Sequence, residues 1–502
     1  MKKYLLIVSS ALLLSGCIFN NDSKQNISIP SEEKNSLTSE TIYSNSIVSD
    51  NSNESSIYEQ SSVVTSSAEV AEENITLDFY NFNDFHGAIE ETSSLGEPGI
   101  AKLSTYLKQE KAKNEDGFVL TSSGDMWQGS ALSNTFKGAI VNDWMNYIGF
   151  DCMTLGNHEF DWGTDRIQSN MKEMNFPVIS CNVLNKELAK PVDWIEGTAM
   201  KTVKGVNIGF IGAIGEGQTG DILASISHNL EFPDPGNYAS IAATQLREKG
   251  ADLIVYLLHD SNETISTSVA SKMDVIFCGH THQGENKKVS GKPSLQAYSN
   301  GKDVSHVKLT YNKATKKVTY NSMDVIDLRK LNLSKDQDTE NLINKRLTPE
   351  INAKLNANVG KLSRQLSQSD LTGLIVEYMY KYYQDTYNEF TIYATNYNNA
   401  RSAISAGVVT YKDVFKSFPF ENEVVVMKLK GSALKTITYG TFYYPGSTSL
   451  EDNKDYYVFT IDYIADYDYY YQPKLGVEIV RRYSDVYPRD IFAKYFGEDY
   501  PL

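Results

Sequence analysis

Residues 75–87 read Ile75-Thr76-Leu77-Asp78-Phe79-Tyr80-Asn81-Phe82-Asn83-Asp84-Phe85-His86-Gly87. An apolar, strand-like run through Phe82 gives way at once to an Asp-x-His pair and a glycine. The pattern recurs along the chain. Phe118 to Thr121 precedes Gly124-Asp125, and a short apolar run containing Cys152 precedes Gly156-Asn157-His158-Glu159 and Asp161. Leu253 to Leu258 runs into His259-Asp260, and Val275 to Cys278 into Gly279-His280-Thr281-His282. Val206 to Ala213 is a further strand-like run, and helix-compatible stretches such as Gly99 to Lys113 and Tyr238 to Lys249 lie between. Strands alternating with helices predict an α/β layer architecture. Ligands bind at the carboxyl ends of strands in open α/β sheets, so the five segments are expected to meet at one site. Of the seven histidines, five fall in these segments.

Asp and His together suit divalent metals of the Mn, Zn or Fe type. Asp84 and His86, like His280 and His282, have the spacing that puts two side chains on one side of an extended strand. A carboxylate such as Asp125 can bridge two cations about 3.5–4 Å apart. The 502-residue chain is 41% hydrophobic and 22% charged, ordinary for a globular protein, and its length points to two structured domains. A formal net charge of -16 argues against a broad basic face for a nucleic-acid polymer. It leaves room for an anionic substrate if metals supply local positive charge.

Lys2 and Lys3 followed by the apolar run Tyr4 to Leu14 form a targeting leader over residues 1–17. It ends in Leu14-Ser15-Gly16-Cys17, which resembles the lipobox of bacterial lipoproteins. The expectation is an exported protein, anchored at the extracytoplasmic face of the membrane by a lipid on Cys17. Residues 18–74 are rich in Ser, Asn and Glu and read as a disordered tether. A first domain is expected over 75–328, a charged helical connector over 329–355 and a second domain over 356–502. Cys152, Cys181 and Cys278 are an odd set at scattered positions, which argues against a disulfide framework. The tyrosines at 378, 380, 382, 383, 467 and 469–471 are read as core packing and compositional bias.

The five segments together resemble the calcineurin-like metallophosphoesterase family, within it the bacterial 5′-nucleotidase, UDP-sugar hydrolase and 2′,3′-cyclic-nucleotide 2′-phosphodiesterase group. The resemblance implies a four-layer αββα sandwich followed by a smaller α+β substrate domain. It implies one metal on Asp84, His86, Asp125 and His282 and a second on Asp125, Asn157, His259 and His280, with Asp125 bridging. In that family two cations generate a hydroxide that attacks phosphorus in line. His158, beside Asn157, contacts the reacting phosphate, and Asp161 is placed to fix its tautomer. Glu159 and Asp260 adjoin these residues and carry no assignment.

Further along, Pro419-Phe420-Glu421-Asn422 and Asp462-Tyr463-Ile464-Ala465 match substrate-domain motifs, which makes Phe420 and Tyr463 a stacking pair, Asn422 a substrate contact and Arg401 an anion contact. The chain departs from the family at Asn396-Tyr397-Asn398-Asn399-Ala400-Arg401, where glycines are usual, and at Asp466-Tyr467-Asp468-Tyr469. Arg364 lies out of register with an expected arginine. The function implied is hydrolysis of nucleotide phosphate esters. A phosphoesterase for a non-nucleotide surface substrate, and a binding or adhesion lipoprotein, are the other readings.

Overall fold

The computed structural model describes residues 74–387, 391–395, 399–437, 441–443, 449–466 and 476–501. The leader with Cys17, the tether to residue 73, Asn396 to Asn398 and Tyr467 to Tyr471 lie outside the described residues. Among those described, no helix is long and apolar enough to cross a membrane.

The strand read from residue 75 spans Asn74–Phe82 and pairs in parallel with Phe118–Ser122, which pairs in parallel with Cys152–Thr154. Asp303–Asn312 and Lys317–Asp327 extend this six-stranded sheet on one side and Val178–Ile179 on the other. A second six-stranded sheet has Leu253–His259 between Val206–Ile214 and Val275–Phe277, all parallel.

These central strands are apolar on both faces because both faces are covered. Leu77, Phe79, Val119, Phe210, Val255, Leu257 and Phe277 form the core between the sheets. The alternate residues Tyr80, Phe82 and Leu120 pack outward into a cluster with Leu103, Leu107 and Trp144 of the helices Gly99–Lys111 and Ala139–Ile148. Ile254, Tyr256 and Leu258 pack on Ala239, Ala242 and Leu246 of the helix Pro235–Glu248. Helix, sheet, sheet and helix make the four-layer sandwich.

The charged stretch after Asp327 forms two helices, Gln337–Arg346 and Pro349–Leu355. They are not a free-standing link: Leu342, Ile343, Leu347 and Ile351 pack on the first core, and Arg346 makes a paired bridge to Asp143. The C-terminal part has a five-stranded sheet with Val424–Lys430 between Asp455–Ile461 and Glu478–Tyr483. Its own core includes Tyr378 and Tyr383 of the helix Gln368–Tyr383, so those tyrosines are packing residues. Cys152 and Cys278 are buried and all three described cysteines are free.

Candidate functional site

Each of the five segments leaves the carboxyl end of a strand, and the parallel order brings those ends together. The local backbone differs from the period-two expectation. Asp84 and His86 lie beyond the end of their strand, at φ 49° and 51°. His280 and His282 likewise follow Val275–Phe277, at φ 72° and 56°, and Asp125 has φ 57°. Left-handed backbone at non-glycine residues costs about 1–3 kcal/mol each and clusters where function demands it. These side chains converge because tight loops turn them inward, not because a strand alternates.

The loops are zipped to one another. Asp84 N–H donates to Gly124 O at 3.0 Å and His86 N–H to Asp125 O at 2.9 Å. Two glycines permit the close approach. A Cβ on Gly124, itself at φ 89°, would lie 2.6 Å from the Gly156 nitrogen and 2.8 Å from His259 Nδ1. Beneath them the buried Glu159 carboxylate accepts N–H groups from Asp125 and Gly156 at 2.7 Å, Met126 at 2.8 Å and Trp127 at 3.3 Å. Burial and the Asp125 charge push its pKa up to about 7 against the pull of those donors. In the sequence Glu159 is only a neighbour of the ligands; three of its four donors, Asp125, Met126 and Trp127, lie more than thirty positions away.

The donor atoms form one cluster. The Nε2 atoms of His86 and His282 lie 3.0 Å apart, and His282 Nε2 is 3.3 Å from Asp84 Oδ1. His259 Nε2 is 3.3 Å from Asp125 Oδ2 and 3.2 Å from Asn157 Oδ1, while His280 Nδ1 is 3.0 Å from the same Asn157 oxygen. Ligand atoms of Asp84, His86 and His282 lie within 4.8 Å of one another, as do those of Asp84, Asp125 and His259. All seven expected ligand residues are thus brought together.

This set fits divalent cations. His86 Nδ1 faces Gln128 O at 3.1 Å and His259 Nδ1 faces Ser123 O at 2.7 Å. In the neutral tautomer each therefore donates outward and turns an Nε2 lone pair into the cluster. Burial, aided by the His282 charge, holds His86 well below the usual histidine pKa. Burial and then His259 lower His280 as well. Asp84 and Asp125 are almost fully buried, with no Lys or Arg ion pair among the described residues. Buried carboxylates need cationic partners. Here those are imidazoles, and burial notwithstanding, Asp125 and Asp84 raise His259 to about 10.

His158 adjoins this cluster: one of its ring nitrogens lies within 4.8 Å of ligand atoms of His86 and Asp125. Its Nδ1 meets Asp161 Oδ2 at 2.9 Å, and its own N–H donates to Asp125 Oδ1 at 2.8 Å. Burial alone would lower its pKa, but the carboxylates of Asp161 and Asp125 outweigh that and raise it. The His158 ring stacks on Phe420 at 5.8 Å, and the Arg401 guanidinium lies 5.7 Å from the far ring.

A cavity of about 710 Å³ opens over the cluster, lined by His86, Asp125, Asn157, His158, His280 and His282 on one side and Arg401, Phe420, Asn422 and Tyr463 on the other. Asn422 spends its amide on Asp462 at 2.7 Å, and Asp462 also accepts the Tyr463 N–H. Arg364 bonds the Gln365 carbonyl and Asp370 instead of lining the cavity. Lys302, Trp162 and Asp221, which no motif indicated, also line it.

Residues 77–284 match the calcineurin-like phosphoesterase family, and residues 350–439 match the 5′-nucleotidase C-terminal domain. The chain is 27% identical over 406 residues to endonuclease YhcR of Bacillus subtilis, covering 73% of this chain and 33% of that protein. It therefore spans about a third of the length of that relative. It is 27% identical over 420 residues to snake venom 5′-nucleotidase of Gloydius brevicauda, covering 73% and 70%. The crystal structure of a 5′-nucleotidase precursor from Thermus thermophilus shares the fold, with a TM-score of 0.72 at 20% identity over 85% of this chain and 97% of that one. The chain therefore carries a calcineurin-like phosphoesterase domain, of a kind of phosphoric ester hydrolase that uses two divalent metals, followed by a 5′-nucleotidase C-terminal domain.

Proposed function

We propose that this protein hydrolyses phosphate esters of nucleotides, as an exported enzyme tethered to the membrane through Cys17. The observation that carries the reading is a single cavity that joins the Asp/His cluster to Arg401, Phe420 and Tyr463 of the second domain. Asp84, His86, Asp125 and His282 would hold one cation and Asp125, Asn157, His259 and His280 the other. A divalent pair supplies Lewis-acid polarisation of the ester and a nucleophile from water at neutral pH.

The chain's own groups do the rest. His158, held through Nδ1 by Asp161 and lining the cavity, contacts the phosphoryl group and can hand a proton to the leaving oxygen. Arg401 offers a fork for a phosphoryl or other anionic group. Phe420 and Tyr463 offer aromatic faces for a base. Gln128 O and Ser123 O keep His86 and His259 in the tautomer a ligand needs. The domains read in the sequence at 75–328 and 356–502 divide the work between chemistry and recognition.

A panel of 5′-mononucleotides, 2′,3′-cyclic nucleotides and UDP-sugars, assayed with EDTA and with Mn²⁺, tests this. Metal-dependent phosphate release from at least one is expected. Release from bis(p-nitrophenyl) phosphate with none from any nucleotide would replace the reading with a non-nucleotide surface substrate.

A further inference from the structure

Outside the Asp/His cluster the cavity wall carries the carboxylates Glu97, Asp161, Asp221 and Glu421 and the basic side chains Lys302, Arg401 and Lys416, and most of those carboxylates already have a partner. Asp161 is taken by His158 at 2.9 Å and Glu421 by Lys137 at 2.7 Å. Glu97, only 3% exposed, is taken by Lys416. Asp221 lies 3.8 Å from His280 Nε2. Two cations of the wall, Lys302 and Arg401, have no carboxylate within ion-pair distance among the described residues. Lys302 is half-buried and lines the cavity.

The two come from opposite walls. Lys302 belongs to the phosphoesterase domain, on a turn tied to the metal loop by the Asn300 N–H to Asp84 O bond at 2.8 Å. Arg401 comes from the second domain, and its charge reaches His86 and His158. A cavity of about 710 Å³ is more than a lone phosphoryl group fills, since drug-sized ligands occupy roughly 300–1,000 Å³.

We propose that Lys302 and Arg401 form an anion subsite beside the metal cluster, which takes a second, non-scissile phosphate of the substrate. This rests on the hydrolytic reading above and narrows it to esters with two phosphate groups, either in one diphosphate or at separate positions. Lys302 is the specificity-determining residue of the pair, because Arg401 also faces the reacting phosphate.

The test compares metal-loaded wild type with Lys302→Gln and Lys302→Arg. Substrates are p-nitrophenyl phosphate, a nucleoside 5′-monophosphate, a 5′-diphosphate and a 3′,5′-bisphosphate. Lys302→Gln should raise KM about tenfold for at least one two-phosphate substrate, leave the other two within about twofold, and be rescued by Lys302→Arg. Which of the two responds shows where the second phosphate sits. An equal loss on all four substrates, or no loss on any, overturns the proposal. Calorimetry with methylenediphosphonate against methylphosphonate needs neither a nucleoside nor turnover. Lys302→Gln should weaken the first about tenfold and spare the second; equal affinities in wild type and variant overturn the subsite even if no nucleotide is hydrolysed. Hydrolysis of p-nitrophenyl phosphate alone, with the calorimetric difference intact, defeats the nucleotide reading and leaves the subsite standing.

Discussion

Replacing Glu159 by Gln should cost the protein its metals before it costs the fold. The carboxylate accepts N–H groups from Asp125, Gly156, Met126 and Trp127, and both oxygens are in use. Glutamine keeps one oxygen and turns an NH₂ toward the donors of the other. About two charge-assisted bonds are lost, at roughly 1.5–3 kcal/mol each, so the local loss is about 3–6 kcal/mol before relaxation. Relaxation can only come from movement of the Asp125 or Gly156 backbone, because the carboxylate's own surroundings are buried. If about 1.4 kcal/mol of the loss appears as displacement of Asp125, metal affinity falls about tenfold. Metal content after dialysis against graded EDTA, measured beside the far-ultraviolet circular dichroism spectrum, reads this directly. A variant with native metal retention would refute the view that Glu159 positions the bridging carboxylate. Loss of the whole circular dichroism signal would show the cradle to be a folding requirement instead.

His158→Ala should lower kcat/KM by about 10²–10⁴-fold with metal content unchanged, and loss of metal would show that His158 is itself a ligand. Gly124→Ala forces a Cβ to within 2.8 Å of His259 Nδ1 at φ 89°, so metal content and activity should fall together; full retention of both would contradict the packing described. Asp78, beside His306 at 2.9 Å, is pushed up by burial but held below the usual carboxylate value by His306, Asn114 and Lys308. A depressed carboxyl stabilises the fold above its unfolded pKa and loses that contribution as pH falls through the folded value. The urea-midpoint deficit of Asp78→Asn should therefore shrink between about pH 6 and about pH 3; a constant deficit would mean that the carboxylate's charge is not what matters.

The strands were legible because Leu253 to Leu258 is apolar throughout and Leu77, Phe79, Tyr80 and Phe82 put apolar side chains on both faces of theirs, as a sheet covered on both sides requires. The ligands were legible because histidine is rare here and concentrated at strand ends. Their conformation was not. Asp84 and His86 turn left-handed because their N–H groups reach Gly124 and Asp125, some forty residues away, and no local pattern encodes that reach. Lys302 is not legible for the same reason: Glu97 on the same cavity wall is taken by Lys416 across more than three hundred positions. The packing role of Tyr378 and Tyr383 is legible because a helix docked on a sheet must bury one face.

The central claim is that two divalent cations in the Asp84–His282 cluster make this chain a nucleotide phosphoesterase. Titrating Mn²⁺ into EDTA-stripped protein, with bound metal and phosphate release from a nucleotide followed together, tests it most directly. Activity is predicted to be negligible when stripped and to rise to its plateau as a second equivalent binds. A plateau at one equivalent, or full activity in the stripped protein, would contradict the account.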